Sequence, residues 1–139
     1  MNIAYKLLIR EAVEARERSY SPYSNFMVGA ALLVTSGKIY LGCNVENAAY
    51  TPTNCAERTA FFAAVAAGER EFAAIAVAGW KKGGEPGFVF PCGVCRQVMA
   101  EFCDPDKFIV VTAAGEDNYK SMTLRELFPE GFGPAYLGR

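Results

Sequence analysis

Two separated cysteine groups constrain this chain most: Cys55-Ala56-Glu57, and further on Pro91-Cys92-Gly93-Val94-Cys95, in a sequence with no histidine at all. Cys92 and Cys95 are three positions apart, so at a helix start their sulfurs face one point. Cys55 is read as opening a second helix. A fold that uses all three thiols must bring two helix amino ends together, and the positive potential at those ends favours thiolate over thiol. Three thiolates can hold a zinc ion and leave its fourth tetrahedral position for water, which a hydrolytic site needs and a structural site avoids. Glu57 stands beside that position as the acid/base group, with no imidazole to compete for the role. The expectation is a zinc hydrolase.

Other uses of the same residues explain less. A thioredoxin-like redox pair accounts for Cys92 and Cys95 but leaves the distant Cys55 and Glu57 without a purpose. A structural zinc needs a fourth ligand from Cys43 or Cys103. Cys43 falls in a predicted strand and Cys103 at the far end of its helix, and both are read as small buried packing residues. Glu57 taken alone could be a first-turn glutamate favoured by the helix dipole. Arg58 and Arg96 flank the ligands, and guanidinium hydrogen bonds to sulfur would offset the negative charge that three thiolates place on zinc.

Composition narrows the class further. A chain of 139 residues suits a single domain spanning 1–139, and its 52% hydrophobic content leaves apolar surface for subunit contacts. Net charge is −1 with scattered Lys and Arg, so a phosphate-tracking surface for polynucleotides is disfavoured. The start, Met1-Asn2-Ile3-Ala4-Tyr5-Lys6, lacks the apolar core of a signal peptide, and no apolar run approaches a membrane span. Five cysteines, an odd number, suit a reducing cytoplasm and a metal site better than a disulfide framework.

Periodicity predicts a helix over 3–17, a break at Ser21-Pro22-Tyr23-Ser24-Asn25, and strands near 27–35 and 38–45 joined by Ser36-Gly37. A polar loop over 46–54 ends in Thr53-Asn54, residues suited to capping a helix from Cys55 through Ala67 that stops at Gly68. A strand over 73–80, a Gly-rich loop, a helix over 92–103, a strand over 108–112, a weaker strand near 119–122 and a short helix over 124–128 follow, with an irregular tail from Pro129. This order predicts one mixed sheet covered by helices.

The chain resembles the small homotetrameric class of cytidine deaminases, block by block and in order. The blocks are Tyr20-Ser21-Pro22-Tyr23-Ser24-Asn25-Phe26 with its continuation to Leu32, Gly42-Cys43-Asn44-Val45-Glu46-Asn47-Ala48-Ala49-Tyr50, Asn54-Cys55-Ala56-Glu57-Arg58-Thr59-Ala60, Pro91-Cys92-Gly93-Val94-Cys95-Arg96-Gln97-Val98, and Leu124 to Phe132. The resemblance implies an α/β fold, a three-layer α/β/α sandwich on a mixed five-stranded sheet, with one zinc per subunit and active sites completed by neighbouring subunits. It implies that Cys55, Cys92 and Cys95 bind zinc, and that Glu57 shuttles protons in deaminating cytidine or 2′-deoxycytidine, a pyrimidine-salvage reaction. Phe26 would pack on the pyrimidine face and Asn44 and Glu46 would bond the ribose 3′-hydroxyl. Ala56 would offer its backbone N–H to the base carbonyl. Ala48 and Tyr50 would reach the 5′ end of a neighbour's nucleoside, and Phe132 would close over a neighbour's base.

Without the family, Phe26 is equally well a core residue, and Asn44 and Glu46 a solvated loop pair. One departure from the pattern is Phe90, where many family members have Ser. Blasticidin S deaminase shares the zinc motifs and is the nearest alternative, but Glu57-Arg58-Thr59 and Asn44-Val45-Glu46 favour cytidine. Nucleic-acid deaminases carry a histidine ligand that this chain lacks.

Overall fold

The computed structural model describes residues 3–139; Met1 and Asn2, the first two residues of the start read as lacking a signal peptide's apolar core, lie outside the described residues. Helix α1 (Tyr5–Arg16) precedes the hairpin β1 (Phe26–Val34) and β2 (Ile39–Cys43), and α2 (Ala56–Ala66) leads into β3 (Phe72–Lys81). Helix α3 (Gly93–Phe102), strands β4 (Ile109–Gly115) and β5 (Asn118–Thr123), and the short α4 (Leu124–Leu127) complete the order. The strands form one five-stranded sheet in the order β2-β1-β3-β4-β5. Only β3 and β4 run parallel, the other neighbours being antiparallel. A parallel pair needs a crossover, and α3 supplies it.

The central strands are apolar on both faces because helices cover both. Leu8, Ile9 and Ala12 of α1 pack on one side with Ala31, Ala74, Ala76 and Val111. On the other side Ala60, Phe61 and Met99 of α2 and α3 join Leu32, Ile75, Val77 and Val110. Alternation along β1 and β3 therefore sorts neighbours into two cores, as expected of a sheet buried on both sides.

Two glycines let the helices approach closely. A β-carbon on Gly29 of β1 would lie 2.1 Å from the Ala12 carbonyl oxygen, and one on Gly42 of β2 would lie 2.2 Å from that of Ala56. The second contact fixes the height of the first turn of α2 above the sheet.

Several element ends differ from expectation for local reasons. Helix α2 begins at Ala56, with Cys55 as its N-cap, so Asn54 falls one residue too early to cap it and instead donates through Nδ2 to Thr59 Oγ1 at 3.1 Å. Strand β4 continues to Gly115 because β5 pairs with it along that length. The tail, expected to be irregular, contains a 3₁₀ turn over Pro134–Leu137, closed by Gly138 in the left-handed region. No helix among the described residues is long and apolar enough to cross a membrane.

Candidate active site

Cys55 and Cys92 are the N-caps of α2 and α3, and Cys95 lies in the first turn of α3. Their sulfurs lie within 4.8 Å of one another, with Cys55 Sγ 3.7 Å from Cys92 Sγ. Tetrahedral zinc with Zn–S bonds of about 2.3 Å puts sulfurs about 3.8 Å apart, so this donor set fits the ion in both chemistry and spacing. Three donors leave one position of the tetrahedron for another ligand. Cys103 caps the far end of α3, buried in the core, and burial raises its thiol pKa. Cys43 donates to the Arg18 carbonyl at 3.4 Å, and neither cysteine belongs to the sulfur cluster.

Within the cluster, Cys55 is the thiol that favours the charged form. Cys55 lies well below the usual thiol range, first through its hydrogen bond with Cys95, then through Arg58, and burial works against both. Cys95, its partner in that bond, is pushed up. Arg58 Nη2 donates to Cys55 Sγ at 3.2 Å, as the sequence suggested.

Arg96, expected to do the same, does not reach sulfur. Its Nε donates to the Pro91 carbonyl at 2.7 Å and its Nη1 to the Leu127 carbonyl, so it braces the loop before α3 against α4. The reason is its place one residue after Cys95, which turns its side chain away from the cluster by about 100°.

Glu57 is only 4% exposed. Burial, joined by the charge of Cys55, raises its carboxyl to about 7. A carboxyl poised near neutrality both accepts and returns protons, as acid/base catalysis requires. It lines a cleft of about 320 Å³ with Phe26, Val28, Asn44, Ala56, Phe90 and Cys92. The fold thus gathers the expected Phe26, Asn44, Ala56 and Glu57 at one place, and sets Phe90 in the same wall.

Glu46 lies next door, in a cleft of about 420 Å³ with Tyr23, Ser24 and Tyr50. Its Oε1 accepts from the backbone N–H groups of Tyr23 at 3.0 Å and Ser24 at 3.1 Å, and its Oε2 accepts from the Ser24 hydroxyl. Partial desolvation raises this carboxyl, but the Ser24 and Tyr23 bonds outweigh it and hold the group below the usual range. Thr53 lines both clefts and so joins them.

Asn44 is more occupied than a solvated loop residue would be. Its Oδ1 accepts from Val28 N–H at 2.9 Å and from the Ser19 hydroxyl, and its Nδ2 donates to the Phe26 carbonyl at 2.8 Å. The exposed Tyr50, at a φ of 62°, meets Tyr23 edge to face. Ala48 sits in the exposed turn before it. Phe132 stands apart from Glu57, stacked on Tyr136 in the tail and tethered where Gln97 Nε2 donates to its carbonyl at 2.8 Å.

Sequence reasoning missed Ser19, Ser24 and Thr112. Ser24 falls in the segment read as a helix break and as part of a resemblance block with no role of its own, and Ser19 lies between that break and the helix predicted over 3–17. Thr112 reads as a strand residue, although a hydroxyl inside a buried strand was a signal; its Oγ1 donates to the Val89 carbonyl and pins the loop before Pro91.

Residues 3–112 match the family profile of the cytidine and deoxycytidylate deaminase zinc-binding region. The chain is 51% identical over 125 residues to a cytidine deaminase of Sporosarcina psychrophila, covering 90% of this chain and 88% of that one. It is 48% identical over 127 residues to a cytidine deaminase of Halalkalibacterium halodurans, covering 91% and 92%. The crystal structure of cytidine deaminase from Burkholderia pseudomallei superposes with a TM-score of 0.85 at 48% identity, covering 94% of this chain and 100% of that one.

Proposed function

The chain belongs to the cytidine and deoxycytidylate deaminase family, and from that premise we propose that it hydrolyses cytidine and 2′-deoxycytidine to uridine and 2′-deoxyuridine with release of ammonia, as a zinc enzyme of pyrimidine salvage. The observation that carries this reading is a cluster of three sulfurs, of which Cys55 and Cys92 line the same cleft as one buried carboxyl, Glu57.

Cys55, Cys92 and Cys95 hold the metal, and Arg58 tempers the charge of their sulfurs. Zinc bound there supplies the Lewis acidity that lets water lose a proton near neutral pH. Glu57 takes that proton and delivers it to N3 of the base, which makes C4 electrophilic as the water oxygen adds to it. Glu57 then takes the second proton of the added water, from the hydroxyl now on C4, and hands it to the exocyclic nitrogen; the C4–N bond breaks with ammonia as leaving group as the C4 carbonyl forms. A carboxyl near 7 serves both transfers because neither protonation state is strongly preferred.

Phe26 supplies an aromatic face for the pyrimidine, an interaction of roughly 1–3 kcal/mol in related base contacts. Ala56 offers its N–H to the base carbonyl. Glu46 and Asn44 bind the ribose 3′-hydroxyl in the joined clefts. The active unit is a homotetramer in which Ala48, Tyr50 and Phe132 act on a neighbour's nucleoside. The exposed Phe62, Val94, Phe132, Tyr136 and Leu137 support subunit packing. Five unpaired cysteines suit a cytoplasmic location.

Zinc content together with an ultraviolet assay on cytidine tests the proposal. About one zinc per chain and conversion of cytidine to uridine are expected. A zinc-loaded protein inert on cytidine but active on blasticidin S would overturn the substrate assignment, and one inert on both would overturn the enzyme.

A further inference from the structure

Phe26 is the first residue of β1 and has no partner in β2, whose pairing with β1 begins at Gly29 opposite Cys43. The residue before it, Asn25, has a φ of 57°, in the left-handed region, so the extended backbone does not run in from that side. On its other side Phe26 pairs with Lys81 of β3, and the Asn25 carbonyl accepts from Lys82 N–H at 2.8 Å, so it is on the β2 side that the seating of Phe26 depends on what its own N–H and C=O meet. The carbonyl meets Asn44: one side-chain amide accepts from Val28 N–H and donates to the Phe26 carbonyl, continuing the β2 ladder after the strand has ended. The N–H donates to Ser24 Oγ at 2.9 Å.

Ser24 is itself held by Glu46, to whose Oε2 its hydroxyl donates. A carboxylate offers about four acceptor positions. In Glu46 two on Oε1 take the Tyr23 and Ser24 amides and one on Oε2 takes the Ser24 hydroxyl. The position that remains is on Oε2, the same oxygen that fixes Ser24. A sugar hydroxyl bound there and the N–H of Phe26 are then two ends of one short chain: hydroxyl to Oε2, Oε2 to Ser24 Oγ, Oγ to Phe26 N–H.

We propose that Ser24 is a positioning residue that couples sugar recognition at Glu46 to the seating of the Phe26 ring against the base. The inference rests on the reading that Glu46 binds the 3′-hydroxyl. Its consequence is that part of the sugar's binding energy appears in turnover and not in affinity, because seating the base correctly over Glu57 matters most as C4 is attacked.

The test compares cytidine with 3′-deoxycytidine in the wild type, Ser24→Ala and Ser24→Thr, each first shown to be folded and zinc-loaded. In the wild type, removing the 3′-hydroxyl should raise KM and also lower kcat, the latter by up to about tenfold, the range of one hydrogen bond. Ser24→Ala should lower kcat on cytidine by a similar factor and lose the kcat difference between the two substrates. It should keep the KM difference, since the Tyr23 and Ser24 amides still hold Glu46. Ser24→Thr, which keeps the hydroxyl, should restore the kcat difference, and Ser24→Cys, nearly isosteric but a weak acceptor, should behave like Ala and repeats the test if Ala disturbs the turn. A kcat ratio unchanged in both Ser24→Ala and Ser24→Cys would overturn the coupling while leaving sugar recognition intact. A wild type that treats the two nucleosides alike would overturn the sugar reading itself.

Discussion

Gly42 of β2 lies so close to Ala56 of α2 that a β-carbon on the glycine would stand 2.2 Å from the Ala56 carbonyl oxygen and 2.6 Å from the Ala60 backbone nitrogen. Ala56 separates Cys55 from Glu57, so this contact sets the height of a metal ligand and of the proton-transferring carboxyl together. Backbone atoms cannot swing aside as a flexible side chain would. Gly42→Ala is expected to cost about 1–3 kcal/mol of stability, the usual range for overpacking, and to weaken zinc binding as well. Gly87→Ala, where a β-carbon meets nothing within 4 Å, should change stability by less than about 0.5 kcal/mol. Thermal unfolding and zinc titration of the two variants check this; equal effects would remove the close contact from its role.

Glu57→Gln should keep the zinc and the fold and lose turnover by about 10²–10⁴-fold or more. Glutamine preserves shape and hydrogen bonding but carries no proton between the water, N3 and the leaving nitrogen. Because Glu57 is buried without a cationic side chain bonded to it, removing its charge should not destabilise the protein. Steady-state kinetics beside metal analysis decide the matter, and near-normal turnover would exclude Glu57 as the proton carrier.

Metal content should separate the cysteines into two groups. Cys55→Ala, Cys92→Ala and Cys95→Ala are expected to lose the ion, whereas Cys43→Ala and Cys103→Ala retain about one per chain. The two arginines should separate likewise. Arg58→Met should weaken zinc binding by roughly 10–100-fold, the typical effect of removing a partner that orients a ligand. Arg96→Met should instead lower stability through the Pro91 and Leu127 carbonyls it leaves unpaired. Loss of zinc in Cys43→Ala would mean a closed four-sulfur site and would end the hydrolase reading.

Subunit sharing is tested by mixing two impaired proteins, Glu57→Ala and Tyr50→Gly, after each has been shown to form tetramers. Co-refolded tetramers should regain part of the activity, because some sites then combine an intact Glu57 with an intact Tyr50 from a neighbour. Full activity of a wild-type monomer at micromolar concentration would contradict the proposal.

The sequence alone determined the chemistry-bearing set and the succession of elements, because both are written locally. Cysteines three apart at a helix start, a carboxyl two residues after a third cysteine, and the switch between helical and strand periodicity need no knowledge of distant neighbours. Even the hairpin and the stop at Gly68 follow from turn chemistry. The tertiary structure decided what depends on segments far apart in the chain. Arg58 and Arg96 look equivalent beside their cysteines, yet only Arg58 reaches sulfur, since Arg96 finds a carbonyl 31 residues away at Leu127. Asn54 looked like a cap until the helix began one residue later. Asn44 became a rung of the sheet only because β2 ends beside Phe26, and Ser24 became the link to Glu46 only because the turn before β1 folds over the loop after β2. The raised carboxyl of Glu57 belongs to the same class: burial comes from the packing of α2 on the sheet, and no local pattern specifies how much water a side chain will keep.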